Sequence, residues 1–143
     1  HKVIIVDTGV WLAFVDHRDT HHFVSQRFIK TNREPLITTW PVLTELAYLL
    51  LARVGTDRTL RMLNVFAGMG VRIFTLEEHH YPRIVQLMTR YANLPMDLAD
   101  ASLVVLAEHL GDGRIVSTDA RDFHAYRWKD QHPFHNLLWE QGK

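Results

Sequence analysis

Apolar and polar positions along the chain follow two different periods. "VIIV" at 3–6 is a short continuous run of β-branched and related residues that stops at Asp7, Thr8 and Gly9, the pattern of a strand buried on both faces. "PLITT", "VRIFTL" and "RIVSTD" are further strand candidates, the last running from Arg114 to Asp119 after a "GDG" turn. Helical stretches separate them. "GVWLAFV" and "HHFVSQRFIK" follow the first strand, and "PVLTELAYLLLARVG" carries Pro41 near its first turn and Gly55 at its end, where helices favour these residues. "RTLRMLNVFAG" is a further helix, and "EHHYPRIVQLMTRYAN" is helical from about its proline. A nearly all-apolar helix lies within "NLPMDLADASLVVLAEHL", and the tail "HPFHNLLW" adds an edge strand. Strands alternating with helices predict a three-layer α/β/α domain with a central, mainly parallel sheet, a single domain over residues 1–143.

Composition narrows the partners. Lys plus Arg and Asp plus Glu number 16 each, giving a formal charge of zero, so any nucleic acid must be met by a local patch. With no Cys, disulfides and Cys-ligated zinc are excluded. No apolar run reaches the length of a membrane span, and the start does not resemble a signal peptide, so a cytoplasmic protein is expected.

The acids are the informative feature. Asp97 suits the N-cap of the apolar helix, with Asp100 at its third position and Met96 positioned to staple onto Ala101. "TDARDF" repeats the spacing with Asp119 and Asp122, and Asp7 is placed to cap the helix after the first strand. Each is explicable as a cap. Glu45 is different, because it lies inside its helix with Val42, Leu49 and Ala52 on the same side. A carboxylate on such a face needs a basic partner, a proton or a metal.

Taken together the acids point further. Two parallel strands ending in Asp7 and Asp119 put both at the carboxyl end of the sheet, where open α/β folds bind ligands. Asp97 and Asp100, three apart, share a helix face. Carboxylates converging from these places would repel one another unless a cation sat between them. An all-oxygen set points to magnesium, or manganese as a substitute, and to metal-assisted phosphodiester hydrolysis.

In the order Asp7, Glu45, Asp97/Asp100, Asp119, and in the segments "VIIVDTGVW", "TELAYLL", "MDLADASLVVLAE" and "STDARDF", the chain resembles the PIN-domain ribonucleases, especially the VapC-type toxins of bacterial toxin–antitoxin pairs. The resemblance implies that Asp7, Glu45, Asp100 and Asp119 are catalytic. It implies metal binding by Asp7, Asp97, Asp100 and Asp119, with Thr8, Thr118 and Asp122 in support. It further implies RNA cleavage leaving a 5′-phosphate and a 3′-hydroxyl, a small antitoxin partner and a homodimer. RNA contacts would come from Arg side chains, with Arg18, Arg53, Arg121 and Arg127 as candidates.

Three other readings stand beside this one. A non-toxin RNA-processing nuclease would carry the same acids. A receiver-like domain would use Asp7 or a neighbour as phosphoryl acceptor, and a partner-binding domain would use "WPVLTELAYLLLA" as its contact face. Of the ten histidines, His17 and His21 in "DHRDTHH" have a chelating spacing but no evident third ligand. His124 and the "HPFH" tail have no defined role.

Overall fold

The computed structural model describes residues 2–140; the two ends of the expected 1–143 domain, His1 and residues 141–143, lie outside the described residues. Strand β1 (Ile4–Val6) sits at the centre of a sheet with β2 (Leu36–Thr39) on one side and β4 (Arg114–Val116) on the other. β3 (Arg72–Phe74) and β7 (His135–Asn136) close the edges, giving the order β3-β2-β1-β4-β7 with every pairing parallel. The tail therefore does supply an edge strand. A separate two-residue hairpin, β5 (Arg127–Trp128) with β6 (His132–Pro133), precedes it.

Strand alternation divides the core in two. Val3, Ile5, Ile37 and Ile115 face one side of the sheet and pack with α4 (Tyr81–Arg90) and α5 (Leu98–Leu110). Ile4, Val6, Leu36 and Val116 face the other, against α1 (Thr8–Val15), α2 (His22–Thr31) and α3 (Trp40–Gly68). Each wholly buried Val, Leu or Ile contributes about 1.5–3 kcal/mol from leaving water, which is why the continuous apolar run at 3–6 needs helices on both faces.

The two helices expected around Gly55 are one element, α3, broken at that residue, where φ is 82°. Only glycine adopts this left-handed geometry without cost, and the break folds residues 56–68 back toward the start of the chain, placing Phe66 4.5 Å from Trp11 between ring centroids. The expected strand at 71–76 is shorter than its apolar pattern, spanning Arg72–Phe74. A short α6 (Ala120–Ala125) follows β4. None of the described helices is long and apolar enough to cross a membrane.

Candidate active site

The carboxyl ends of β1, β2 and β4 and the start of α5 open onto one crevice of about 290 Å³, lined by Asp7, Thr8, Gly9, Glu45, Asp97, Asp100, Thr118, Asp119 and Asp122 among others. Each predicted acid reaches it by a local rule. Asp7 caps α1, accepting from the Thr8 amide at 2.7 Å. Asp97 caps α5 through the Asp100 amide at 2.8 Å, and Asp119 caps α6 through the Asp122 amide at 3.1 Å. Met96 and Ala101 are buried in the same core cluster beneath the α5 cap. Glu45 comes from the second turn of α3, half-buried above Val42 and Leu49; Ala52, expected on the same covered side, is exposed because α3 has by then run past the crevice. Capping and convergence are thus properties of the same side chains.

Asp7 is the deepest of the set, only 6% exposed. Its Oδ2 accepts from the Ser117 hydroxyl at 2.8 Å, and Ser117 Oγ in turn accepts from the Asp119 amide at 2.9 Å. Ser117 is held by Asn136 of β7, whose Oδ1 accepts from the Ser117 amide at 3.2 Å and whose Nδ2 donates to the Ser117 carbonyl at 2.9 Å. On the opposite wall the Tyr126 hydroxyl donates to Asp100 Oδ2 at 2.7 Å. The sequence reading missed Ser117, Asn136 and Tyr126. Ser117 alone had a local signal, two residues before an acid at a strand end, whereas the other two arrive by tertiary packing.

The electrostatics are those of crowded carboxylates. Burial, reinforced by Glu45 and Asp119, pushes Asp7 up to about 6 despite its two hydrogen bonds. Burial and the Asp7 charge push Asp100 up to about 8. Burial likewise raises Asp119, and raises Glu45 with help from the neighbouring Asp97. The Tyr126 phenol is pushed far above its ordinary range, by burial first and then by its bond to Asp100, so it remains a donor. Among the described residues no Lys or Arg ion-pairs with Asp7, Glu45, Asp97, Asp100 or Asp119; Arg121, whose side chain is 78% exposed, pairs with Asp122 at 3.2 Å, and its charge only partly offsets the rise at Asp119. Like charges held this close favour either protons or a shared cation.

The donor set fits a hard divalent cation. Asp100, Asp119 and Asp122 place one oxygen each within 4.8 Å of one another, so Asp122, expected in support, stands with the ligand acids. The buried Thr8 hydroxyl faces Glu45 and lowers its pKa by hydrogen bonding toward the carboxylate, so it sits among the acids as a further oxygen donor compatible with a hydrated cation. Thr118 lines the crevice and lies against α1, where a Cβ at Gly9 would collide with Thr118 Oγ1.

The candidate arginines are less well gathered. Arg18 and Arg53 pair with Asp16 at 3.3 Å, and Arg53 also with Asp19 at 3.6 Å. Asp16 follows the end of α1, one helix length of about 12 Å from Asp7. Arg127 donates to the carbonyls of His124, Ala125 and Tyr126, closing the end of α6. His21 edges onto Trp139 at 5.8 Å, and its amide donates to Asp19. His124 is exposed.

Comparison with known proteins agrees with this geometry. Residues 4–129 match the model of the PIN domain. Ribonuclease VapC26 of Mycobacterium tuberculosis is 30% identical over 124 residues, 87% of this chain and 92% of its own. Among solved structures, VapC20 of Mycobacterium tuberculosis, a sarcin–ricin loop cleaving toxin, superposes with a TM-score of 0.75 at 18% identity, covering 84% of this chain and 92% of that one. A DNA-bound VapBC from Salmonella typhimurium gives 0.65 at 16% identity, over 95% and 98%. The family match sets aside the receiver-like alternative, and the chain belongs to the PIN-domain family, among its VapC-type ribonucleases.

Proposed function

We propose that this VapC-type chain is a magnesium-dependent endoribonuclease, the toxin of a toxin–antitoxin pair, acting in the cytoplasm. The carrying observation is the convergence of Asp7, Glu45, Asp97, Asp100, Asp119 and Asp122 in one crevice at the carboxyl end of a parallel sheet. Asp7, Asp97, Asp100 and Asp119 would hold the cation, with Asp122 beside them. When bound, the ion supplies positive charge to the scissile phosphate and lowers the pKa of water.

The chain's own groups set the geometry. Ser117 fixes one oxygen of Asp7 and the backbone of Asp119. Glu45, half-buried with a raised pKa, is suited to hold a proton taken from the attacking water near neutral pH. Arg121 stands at the rim, where its guanidinium can meet a phosphate. Arg18 and Arg53, farther from the acids and paired with Asp16, would meet RNA flanking the cleavage site, whereas Arg127 is committed to closing α6.

Partner binding is proposed on surface chemistry and on likeness. An apolar groove of about 360 Å³ is lined by Trp11, Leu43, Ala47, Leu63 and Phe66 among others. Trp40, Tyr48 and Leu51 are exposed on α3. These surfaces suit an antitoxin and a second copy of the chain, and one of the structural neighbours is a VapBC.

The test is cleavage of labelled total RNA with magnesium, with manganese and with a chelator, beside Asp7→Asn and Asp119→Asn. Metal-dependent cleavage lost in both variants, with 5′-phosphate product ends, is expected. A 2′,3′-cyclic phosphate end, or cleavage that survives chelation, would overturn the mechanism.

A further inference from the structure

Asp100 is held from behind by a residue outside the acid set. Tyr126 is fully buried, with 0% exposure, and its hydroxyl donates to Asp100 Oδ2 at 2.7 Å. A Phe would fill the same space, since the ring packs edge-on against Tyr91 and Phe123, each with centroids 5.0 Å away. The hydroxyl is therefore unnecessary to the packing, and Asp100 is its partner.

The segment carrying Tyr126 is fixed along its length. The Tyr126 amide donates to the Asp122 backbone carbonyl at 2.9 Å, closing the last turn of α6. The next amide, Arg127, donates to the Tyr91 hydroxyl at 3.0 Å. Beyond it, Lys129 and Asp130 turn the β5–β6 hairpin with φ of 50° and 59°. Left-handed conformations at two non-glycine residues need external support. It comes from the Lys129 amide on Glu108 at 2.6 Å and from Arg83 and Arg90 on the Asp130 carboxylate at 2.9 Å each.

We propose that Tyr126 is a positioning residue for the cation site: its hydroxyl occupies Oδ2 of Asp100 and so fixes the orientation in which Asp100 meets Asp119 and Asp122. This rests on the metal-dependent reading above. Fixing a ligand's free oxygen sets which of its lone pairs faces the ion, and losing such an outer hydrogen bond costs about 10-fold or more in metal affinity.

The experiment titrates Mn2+ into the RNA-free protein, read by electron paramagnetic resonance, for the wild type, Tyr126→Phe and Tyr91→Phe. Tyr91→Phe removes a neighbouring hydroxyl that holds backbone and does not touch Asp100. The expected result is a Mn2+ Kd about 10-fold weaker in Tyr126→Phe and unchanged in Tyr91→Phe, with Tyr126→Phe still folded and its melting temperature in chelator lowered only by the loss of one buried hydrogen bond. Equal Kd in wild type and Tyr126→Phe, or equal weakening in both variants, overturns the positioning role. A wild type that binds no Mn2+ fails the metal-dependent reading itself, and the positioning role with it. Should Tyr126→Phe not fold, 3-fluorotyrosine in the otherwise native chain reads the same bond. Mn2+-free protein titrated with Mg2+ should shift the 19F resonance of position 126, and an unmoved resonance overturns the proposal.

Discussion

The Ser117 hydroxyl spans two acids that are 112 residues apart in sequence, donating to Asp7 Oδ2 at 2.8 Å while accepting from the Asp119 amide at 2.9 Å. It locks the ends of β1 and β4 together where the crevice opens. Ser117→Ala keeps the strand but frees both. Loss of about 10-fold or more in RNA cleavage is expected, together with about 1–2 kcal/mol of stability from the unsatisfied carboxylate oxygen. Cleavage rates and urea unfolding on the same preparation measure the two effects. A variant with wild-type cleavage would show that the bridge is structural only.

Stability of the metal-free protein should fall as pH rises. Asp7 and Asp100 have pKa values raised from 3.8 to about 6 and about 8 by burial and by neighbouring charge. A raised pKa means the folded state holds the proton more tightly than the unfolded chain does. The stabilisation is therefore complete below the ordinary carboxylate pKa and is lost as pH climbs through the folded values, here between about 4 and 8. Melting temperatures in chelator should decline across this window. Asp100→Asn should flatten the upper part of the decline, and Mg2+ should restore wild-type stability at pH 8. A decline that is the same in Asp100→Asn would assign the effect to other groups.

Gly9 carries a steric requirement of the site. A Cβ there would meet the Thr118 side chain, so Gly9→Ala must turn the Thr118 side chain out of its crevice position or move α1 or the loop that leads to Asp119. A cost of about 1–3 kcal/mol is expected from overpacking, along with impaired cleavage. Gly9→Ala with Thr118→Ser retains the oxygen and the clash, whereas Gly9→Ala with Thr118→Gly removes them. Thermal melting should show recovery only in the second pair.

Arg83 ties three elements together. It donates to Glu108 through two nitrogens at 3.0 and 2.6 Å and to Asp130 at 2.9 Å, with its own side chain and that of Glu108 each about four-fifths covered. Arg83→Ala leaves Glu108 partly buried and short of a partner, and about 2–4 kcal/mol of destabilisation is expected. Hydrogen exchange should show faster opening of the β5–β6 hairpin, including the Lys129 amide. Unchanged exchange there would mean that the hairpin is held by its own turn.

Much of this protein was legible in local pattern. The β-branched run at 3–6 required a strand covered on both faces, and its alternation set which residues meet which helix layer. Pro41 and Gly55 marked where α3 enters and breaks, because proline fixes φ near its helical value while glycine alone adopts a positive φ without cost. The acids were legible as well: capping chemistry fixes Asp7, Asp97 and Asp119 at helix starts, and parallel strands place those starts at one end of the sheet. Tertiary structure decided what no spacing contains. Ser117 meets Asp7, Asn136 meets Ser117 and Tyr126 meets Asp100 only because the strand order β1-β4-β7 and the packing of the segment from α6 to β5 against α5 bring them together. Such hydrogen bonds depend on distances of a few tenths of an ångström between segments far apart in sequence. The same holds for the arginines, whose composition suggested phosphate contacts but whose partners, Asp16, Asp122 and the end of α6, were settled by which surface each long side chain could reach.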